Sequence, residues 1–463
     1  MELKVFNSLT KKKQAVKPID NTVNFYFCGP TVYWYQHIGN MRAFFVMDSM
    51  RRAVKYLGYN INHVMNITDV GHMTSDQDEG EDRMELASKR ESKSPHEIAE
   101  FYWNLCKRDM QELNIEMPEH ICPATSVIDD IIAFVQDILD NGYAYITKNG
   151  VYFDTSKYPK YGALGGMNQN EKKFGARIEI DSEKKNPADF VLWVIAKDNH
   201  IQKWNSPWGV GYPGWHIECS AIGNKFLGEH IDLHGGGVEH KTVHHENEIA
   251  QNYAKCGHEV VDIWFHLEHL MFNGGKMSKS KGDIYTLTNL KDKGYSPCDL
   301  RLFFLSAHYS KPQNFTFEAL DNARDSYNNL KKLLLKHKNG ENKVEKSQIE
   351  QYKEKFSEYI ADDINTPLSL SVMWDALKNN KPSKDIYSLI IDFDRFLGLR
   401  LADIKEDNET LEIPTEVTTL AEQRKQARLN KDYRQSDELR DKISDLGYSI
   451  LDKQNNEYEI IKR

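Results

Sequence analysis

The stretch Val23-Asn24-Phe25-Tyr26-Phe27-Cys28-Gly29-Pro30 decides how the rest of the chain is read. Val23 to Cys28 alternates in the manner of a short strand, and Gly29-Pro30 breaks it. Phe44, Met47, Met50, Val54 and Leu57 follow at helical spacing until Gly58, after which Asn62 to Ile67 reads as a second strand. A strand, a helix and a strand within about 45 residues make a βαβ unit, the building block of a parallel sheet covered by helices. Ligands in such sheets bind beyond the carboxyl ends of the strands, and both Cys28 and His37 fall there.

Further along, Ile128, Ile131, Ile132, Val135, Ile138 and Leu139 form an amphipathic helix closed by Gly142. Tyr143 to Asp154 then reads as a hairpin turning at Asn149-Gly150, which interrupts the α/β pattern. The pattern resumes with a helix over Trp215 to Leu227, an extended His230 to His234, a helix over His244 to Cys256 and a buried strand over Val260 to Leu267. From about residue 315 strands vanish: Leu320, Ala323, Tyr327, Leu330 and Leu334 share one helical face, the mark of a bundle. The acidic stretch Lys405 to Glu412 with Pro414 reads as a linker. The expected division is 1–118 and 203–259 for the two halves of a catalytic domain, 119–202 for an insertion, 260–314 for a linking domain, 315–404 for the bundle, 405–416 for the linker and 417–463 for a small terminal domain. No internal repeat is visible.

The bulk properties agree with a large enzyme. A chain of 463 residues exceeds one ordinary core, and 40% hydrophobic with 28% charged residues excludes a mainly disordered chain. No apolar run approaches the roughly 20 residues that span a bilayer, and Met1 to Lys17 has lysines but no apolar signal core, so a cytoplasmic protein away from membranes is expected. A net charge of -9 argues against coating nucleic acid by bulk attraction and directs the search to local basic surfaces. The cysteines, at 28, 106, 122, 219, 256 and 298, read as reduced thiols or metal ligands.

Two segments carry nucleotide chemistry. His37-Ile38-Gly39-Asn40 enters the first helix, where unpaired backbone N–H groups and the helix dipole favour anions. Gly39 permits close approach, and His37 can donate to phosphate oxygens as charge shifts in the transition state. Far downstream, Lys276-Met277-Ser278-Lys279-Ser280 follows a buried strand and two glycines; Lys276 and Lys279 can close over a triphosphate and neutralise a departing pyrophosphate. In this order, on two halves of one α/β domain, the pair resembles the ATP-binding signatures of class I aminoacyl-tRNA synthetases. That resemblance implies a split Rossmann-like nucleotide-binding catalytic domain with an inserted domain, then a helical bundle and a small C-terminal domain. The family form of the first signature ends in histidine, and Asn40 departs from it.

Cys28 ends the first strand, Cys219 lies in Trp215-His216-Ile217-Glu218-Cys219, and His244 and Glu248 share a helical face four residues apart. Two sulfurs, an imidazole and a carboxylate suit zinc. Phe27-Cys28-Gly29-Pro30-Thr31-Val32-Tyr33, Asn66-Ile67-Thr68-Asp69, the segment around Cys219 and His234 to Ala250 resemble cysteinyl-tRNA synthetases over nearly the whole chain. The resemblance implies one zinc per chain on Cys28, Cys219, His244 and Glu248, receiving the substrate thiolate. It also implies Mg2+ with ATP and a substrate pocket that includes Thr68, Trp215 and His234. Gly235-Gly236-Gly237 reads either as a turn or as a close approach to adenosine, with Gly235 and Gly236 assigned to ATP beside Met277 and Ser278. Val238 to Val243 departs from the commoner family form, which has an aspartate and a proline.

The expected reaction is activation of L-cysteine by ATP, followed by transfer to the terminal ribose of tRNA(Cys), by a monomer. An apolar pocket discriminates poorly between cysteine and serine, whereas a metal selects sulfur, so no editing activity is expected. In the terminal domain, Arg424 to Arg434 mixes cations with an aromatic, and Tyr433 and Asp437 are expected to touch the tRNA anticodon. The lysines of Lys331 to Lys338 either meet RNA backbone or form a solvated face. The rivals are a zinc-dependent ligase joining cysteine to an amino sugar, which has no use for residues 417–463, and a non-catalytic RNA-binding paralogue, which would have lost the signatures.

Overall fold

Thr22–Phe27 is a strand at the centre of a five-stranded sheet, ordered Val261–Leu267, Ile231–Gly237, Thr22–Phe27, Asn60–Ile67 and His120–Pro123. All four pairings are parallel. The computed structural model describes residues 1–71, 82–166, 183–272, 275–276, 285–405, 414–430, 432–452 and 457–462. They form two compact units, Met1–Ile404 and Lys405–Arg463. In the first unit the chain runs outward from the central strand to His120–Pro123 and later returns on its other side. The order therefore reverses between Thr22–Phe27 and Ile231–Gly237, and parallel sheets open a ligand crevice at such a switch point.

The expected strand–helix–strand unit is present as Thr22–Phe27, Ile38–Tyr56 and Asn60–Ile67. The apolar spacing works as read: Phe44, Met47, Met50 and Val54 are all buried. The insertion differs at both seams. His120–Pro123, just inside its expected start, pairs with Asn60–Ile67, while Gly211–Pro213, beyond its expected end at 202, completes a four-stranded antiparallel sheet with Ala144–Ile146, Gly150–Phe153 and Phe190–Ile195. Hydrogen-bond pairing, which short segments bounded by proline do not announce, sets these edges. Likewise Val261–Leu267 is an edge strand of the central sheet, so that sheet runs past the expected division at 259/260.

From Phe317 to Leu397 the first unit is helical as expected, through Phe317–Lys338, Lys346–Ala361, Thr366–Asn379 and Lys384–Leu397. A buried ion network joins the end of this bundle to the Ile38–Tyr56 helix. Asp48 accepts from Arg52 Nε at 2.8 Å and from Arg301 Nη2 at 2.6 Å, and from the Glu116 backbone N–H at 2.8 Å. Arg301 also donates to the carbonyls of Leu397 and Leu113. Gly398 turns the chain there at φ +66°, and a side chain at that position would strike the guanidinium. Burial alone would raise the Asp48 pKa, but Arg52 and Arg301 outweigh it and hold the carboxylate ionised.

The second unit corrects the expectation that strands vanish after 315. Thr415–Leu429 and Tyr433–Asp445 are helices, but Tyr448–Asp452 and Tyr458–Lys462 form an antiparallel hairpin, with Tyr448 and Ile450 packing against Val417, Ala421 and Ile443. Arg424, read from sequence as one of the cations beside RNA, is buried and grips Asp452 with both terminal guanidinium nitrogens at 2.7 and 3.0 Å. Arg428 and Arg440 reach the same carboxylate.

Two outcomes follow. Asp48→Ala strands two buried guanidinium groups and is expected to cost about 3–5 kcal/mol, measured by denaturant unfolding. The hydrogen bond from Arg424 holds Asp452 down at about 2, against an ordinary 3.8. A depressed carboxylate stabilises above its ordinary pKa and loses that contribution as pH falls through the folded value. Asp452→Asn should therefore lower the melting temperature of the terminal unit at pH 6, with the gap from the unaltered protein closing between pH 4 and pH 2.

Candidate functional site

The crevice at the switch point is built by close backbone approach. Cys28 leaves the central strand with its N–H donated to Gly235 O at 3.2 Å, and the next N–H, of Gly29, is donated to Asn66 Oδ1 at 2.7 Å. A Cβ on Gly29 would lie 1.7 Å from the Asn66 carbonyl oxygen, so only glycine fits. Gly235 and Gly236 lie within the Ile231–Gly237 strand and so do not form a turn. A side chain on Gly235 would enter the Phe265 ring at 2.3 Å.

Three elements bring Cys28, Cys219, His244 and Glu248 together, with one ligand atom from each within 4.8 Å of the others and all four residues buried. Cys28 follows the central strand, Cys219 lies in the first turn of Ile217–Leu227, and His244 and Glu248 are one turn apart on His244–Cys256. His244 Nε2 meets Glu248 Oε1 at 3.0 Å, and His234 Nε2 meets Glu248 Oε2 at 2.9 Å. The charges answer one another. Burial pushes Glu248 upward, but His234 and His244 outweigh it and bring the carboxyl down to about 2. Burial pushes His244 downward, but Cys219 and Glu248 outweigh it and raise the imidazole to about 10. The hydrogen bond from Cys28 lowers Cys219 to about 7, while burial and that same thiol pair push Cys28 well up. Two sulfurs, an imidazole and a carboxylate, buried and converging, fit a zinc ion.

The expected pocket residues surround this cluster in different ways. Trp215 packs beside His244, with ring centroids 5.0 Å apart. Thr68 donates to Glu218, next to Cys219, at 3.0 Å, and accepts from Asn66. His234 meets Glu248 through Nε2, its Nδ1 is buried without a hydrogen-bond partner among the described residues, and its ring stacks on Trp264 at 4.4 Å.

His37 caps the Ile38–Tyr56 helix: its Nδ1 accepts the Asn40 N–H at 3.2 Å, and Asn40 Oδ1 accepts the His37 N–H at 3.1 Å. The departure at Asn40 is thus one half of a reciprocal cap. Gly39 lies in the first turn of this helix. Lys276 belongs to the two-residue strand Gly275–Lys276, paired with Leu270–Phe272; Met277, Ser278 and Lys279 lie outside the described residues. Beyond them the chain returns to the first signature, where Ile38 donates its N–H to Tyr285 O at 2.8 Å. In the terminal unit Tyr433 is 65% exposed and Asp437 faces Arg440 at 3.8 Å, both on Tyr433–Asp445.

Sequence reading missed a line of histidines behind the cluster. His245 Nε2 lies 3.2 Å from Cys28 Sγ, His245 Nδ1 is 2.8 Å from His266 Nε2, and His266 Nδ1 is 2.8 Å from Ser8 Oγ. His216 Nδ1 sits 2.9 Å from His244 Nδ1. The doublet His244-His245 is the signal that could have drawn attention to them. Cys28, His234, His245 and Glu248 form a second converging donor set that shares two members with the first.

A family model described as the class I (C) tRNA synthetase catalytic domain matches residues 15–325. The chain is 41% identical to the cysteine–tRNA ligase of Treponema denticola, over 98% of each chain. It is 38% identical to that of Chlorobium chlorochromatii, again over 98% of each. The fold is similar to that of a Mycobacterium tuberculosis methionyl-tRNA synthetase solved with methionyl-adenylate, at TM-score 0.57 and 12% identity, covering 82% of this chain and 88% of that one.

The tight seat of Gly235 carries a test. Gly235→Ala should push the Phe265 and Phe27 rings apart, cost about 1–3 kcal/mol in thermal or denaturant unfolding and loosen the Cys28 loop.

Proposed function

Because this chain belongs to the class I aminoacyl-tRNA synthetases, in the cysteinyl family, we propose that it joins L-cysteine to tRNA(Cys) in two steps at the switch-point crevice. The observation that carries the reading is the convergence of Cys28, Cys219, His244 and Glu248 on one buried point. A zinc ion bound there supplies a Lewis acid that favours a thiolate over a hydroxyl, which selects cysteine against serine without an editing site. Trp215 packs over the His244 side of the pocket, and Thr68 fixes Glu218 beneath it.

ATP, with Mg2+, lies along the first turn of the Ile38–Tyr56 helix, where His37, Gly39 and Asn40 meet its phosphates, with Gly235 and Gly236 close to the adenosine. Lys276 and Lys279, with Met277 and Ser278, close over the triphosphate. The substrate carboxylate attacks the α-phosphorus and pyrophosphate leaves; a ribose hydroxyl at the tRNA terminus then attacks the cysteinyl carbonyl, losing its proton and releasing AMP. Catalysis consists of positioning and charge stabilisation, without a protein nucleophile. The hydrogen bond between Ile38 and Tyr285 supports the pairing of the two signatures, because it ties the chain just after the lysine loop to the helix that begins at the first.

Residues 417–463, with Tyr433 and Asp437 exposed, are proposed to read the tRNA anticodon, and the chain is proposed to act as a monomer in the cytoplasm. The amino-sugar ligase remains less favoured because the curated relatives match along 98% of the chain, terminal unit included.

The test is charging of purified tRNA with cysteine against serine, with zinc quantified on the same sample. One zinc per chain and charging confined to cysteine are expected; equal charging after zinc removal would overturn the metal's role. Cys219→Ser is expected to lower both zinc content and kcat/KM for cysteine-dependent pyrophosphate exchange, the latter by at least about a hundredfold.

A further inference from the structure

The loop between Cys28 and His37 carries aromatic side chains that neither the zinc cluster nor the nucleotide signature uses. Tyr35 is 46% exposed, and Phe101, on the helix Pro95–Glu112, is 40% exposed. They belong to one group. Trp34 and Tyr35 meet edge to face at 5.6 Å, Tyr35 and Tyr102 at 5.2 Å, and Phe101 and Tyr102 at 5.1 Å. Cations are interleaved with the rings: Arg90 lies 4.0 Å above the centre of Trp34, and Lys93 4.6 Å above that of Phe101.

Beneath them Val32, Met84, Ile98 and the body of Tyr102 form a buried cluster, so the rings stand on a packed base. Exposed aromatic area forfeits burial free energy unless it meets something. Glu91 neutralises part of the positive charge, being 2.7 Å from Arg90 and 3.8 Å from Lys93. What the patch offers is therefore ring faces and guanidinium planes more than net charge.

We infer that this patch is the platform on which the unpaired 3′-terminal nucleotides of the tRNA stack as they enter the active site. The inference rests on the function proposed above and adds to it a docking surface for the acceptor end. Single-stranded RNA is held by aromatic faces and arginine planes, which suit any base. Position selects this partner over a protein: Tyr35 is two residues from His37, where the terminal ribose hydroxyl has to arrive. A strand leading there passes the Trp34–Tyr35 loop.

Tyr35→Ala tests the inference in the full-length zinc-loaded enzyme, with Phe101→Ala as an independent second variant and Tyr35→Phe as the conservative one. Cysteine-dependent pyrophosphate exchange, which needs no tRNA, should stay within twofold of the unaltered enzyme. The KM for tRNA in charging should rise about 5- to 100-fold for Tyr35→Ala, in line with the loss of one stacked base, and return with Tyr35→Phe. In direct binding, the deficit of Tyr35→Ala should vanish with tRNA lacking its last four nucleotides.

An unchanged KM, or an equal deficit on the shortened tRNA, would overturn the platform. So would parallel loss of pyrophosphate exchange, because the loop would then be serving the nucleotide site. If the unaltered enzyme charged no tRNA with cysteine, the proposed function would fail on that result alone, and the binding comparison would still judge the patch.

Discussion

Asp48 is the constraint on which the first unit turns. It lies in the middle of the Ile38–Tyr56 helix, fully buried, and a lone carboxylate there would be far too costly to keep ionised. Arg52 and Arg301 make it tenable, and their remaining N–H groups are spent on the carbonyls of Leu113, Asn114, Arg395 and Leu397. Hydrophobic residues of the same volume could supply comparable stability, since desolvation of buried ions offsets much of their attraction. What they could not supply is register. The directional bonds fix the helix against the loop at 113–116 and the end of the bundle, and so fix the position of its first turn, where His37 and Asn40 sit.

The same logic governs the other end of the crevice in a more delicate form. Glu248 is as buried as Asp48, yet its partners are imidazoles and thiols whose charge is adjustable. His234 and His244 each take one of its oxygens, Cys219 is drawn toward the thiolate, and burial together with the Cys219 thiol pushes Cys28 upward. Cys28 and Glu248 belong to both converging donor sets, the first completed by Cys219 and His244 and the second by His234 and His245. His245 is held in place by His266 and Ser8, which orients its ring toward the sulfur. A donor set supported in this way is oriented from behind, as metal ligands commonly are.

How much of this is legible in the sequence depends on the range of the interaction. Alternation over Val23 to Cys28 and helical spacing over Phe44 to Leu57 are local, and both elements stand where they are read. His244 and Glu248 are visible as a pair because the helix itself sets the spacing. The partnership of His245 with His266 is not visible, because it depends on a helix packing over a parallel strand. The terminal hairpin escapes for a similar reason: Tyr448 and Ile450 become apolar anchors only through the helices they cover. Arg424 misleads in the opposite sense. Its neighbours suggest a cation facing solvent, while Asp452, supplied by the hairpin that sequence reading omits, draws it inside.

Asn40 brings the local and the distant together. Read against the family pattern it is a lost histidine, but at the third position of the helix an amide does something a general statement about donors does not capture. Its Oδ1 accepts the His37 N–H while its own backbone N–H is accepted by His37 Nδ1, so the two residues close the helix start on each other. That choice commits Nδ1 of His37 as an acceptor, which in a neutral imidazole puts the proton on Nε2. It also leaves the Asn40 amide nitrogen as a donor distinct from the oxygen used in the cap. The turn therefore keeps a helix terminus whose backbone N–H groups are ordered and a side-chain donor beside them, an arrangement that favours anions in general. The tautomer that completes the cap is also the one that turns the histidine's N–H away from it.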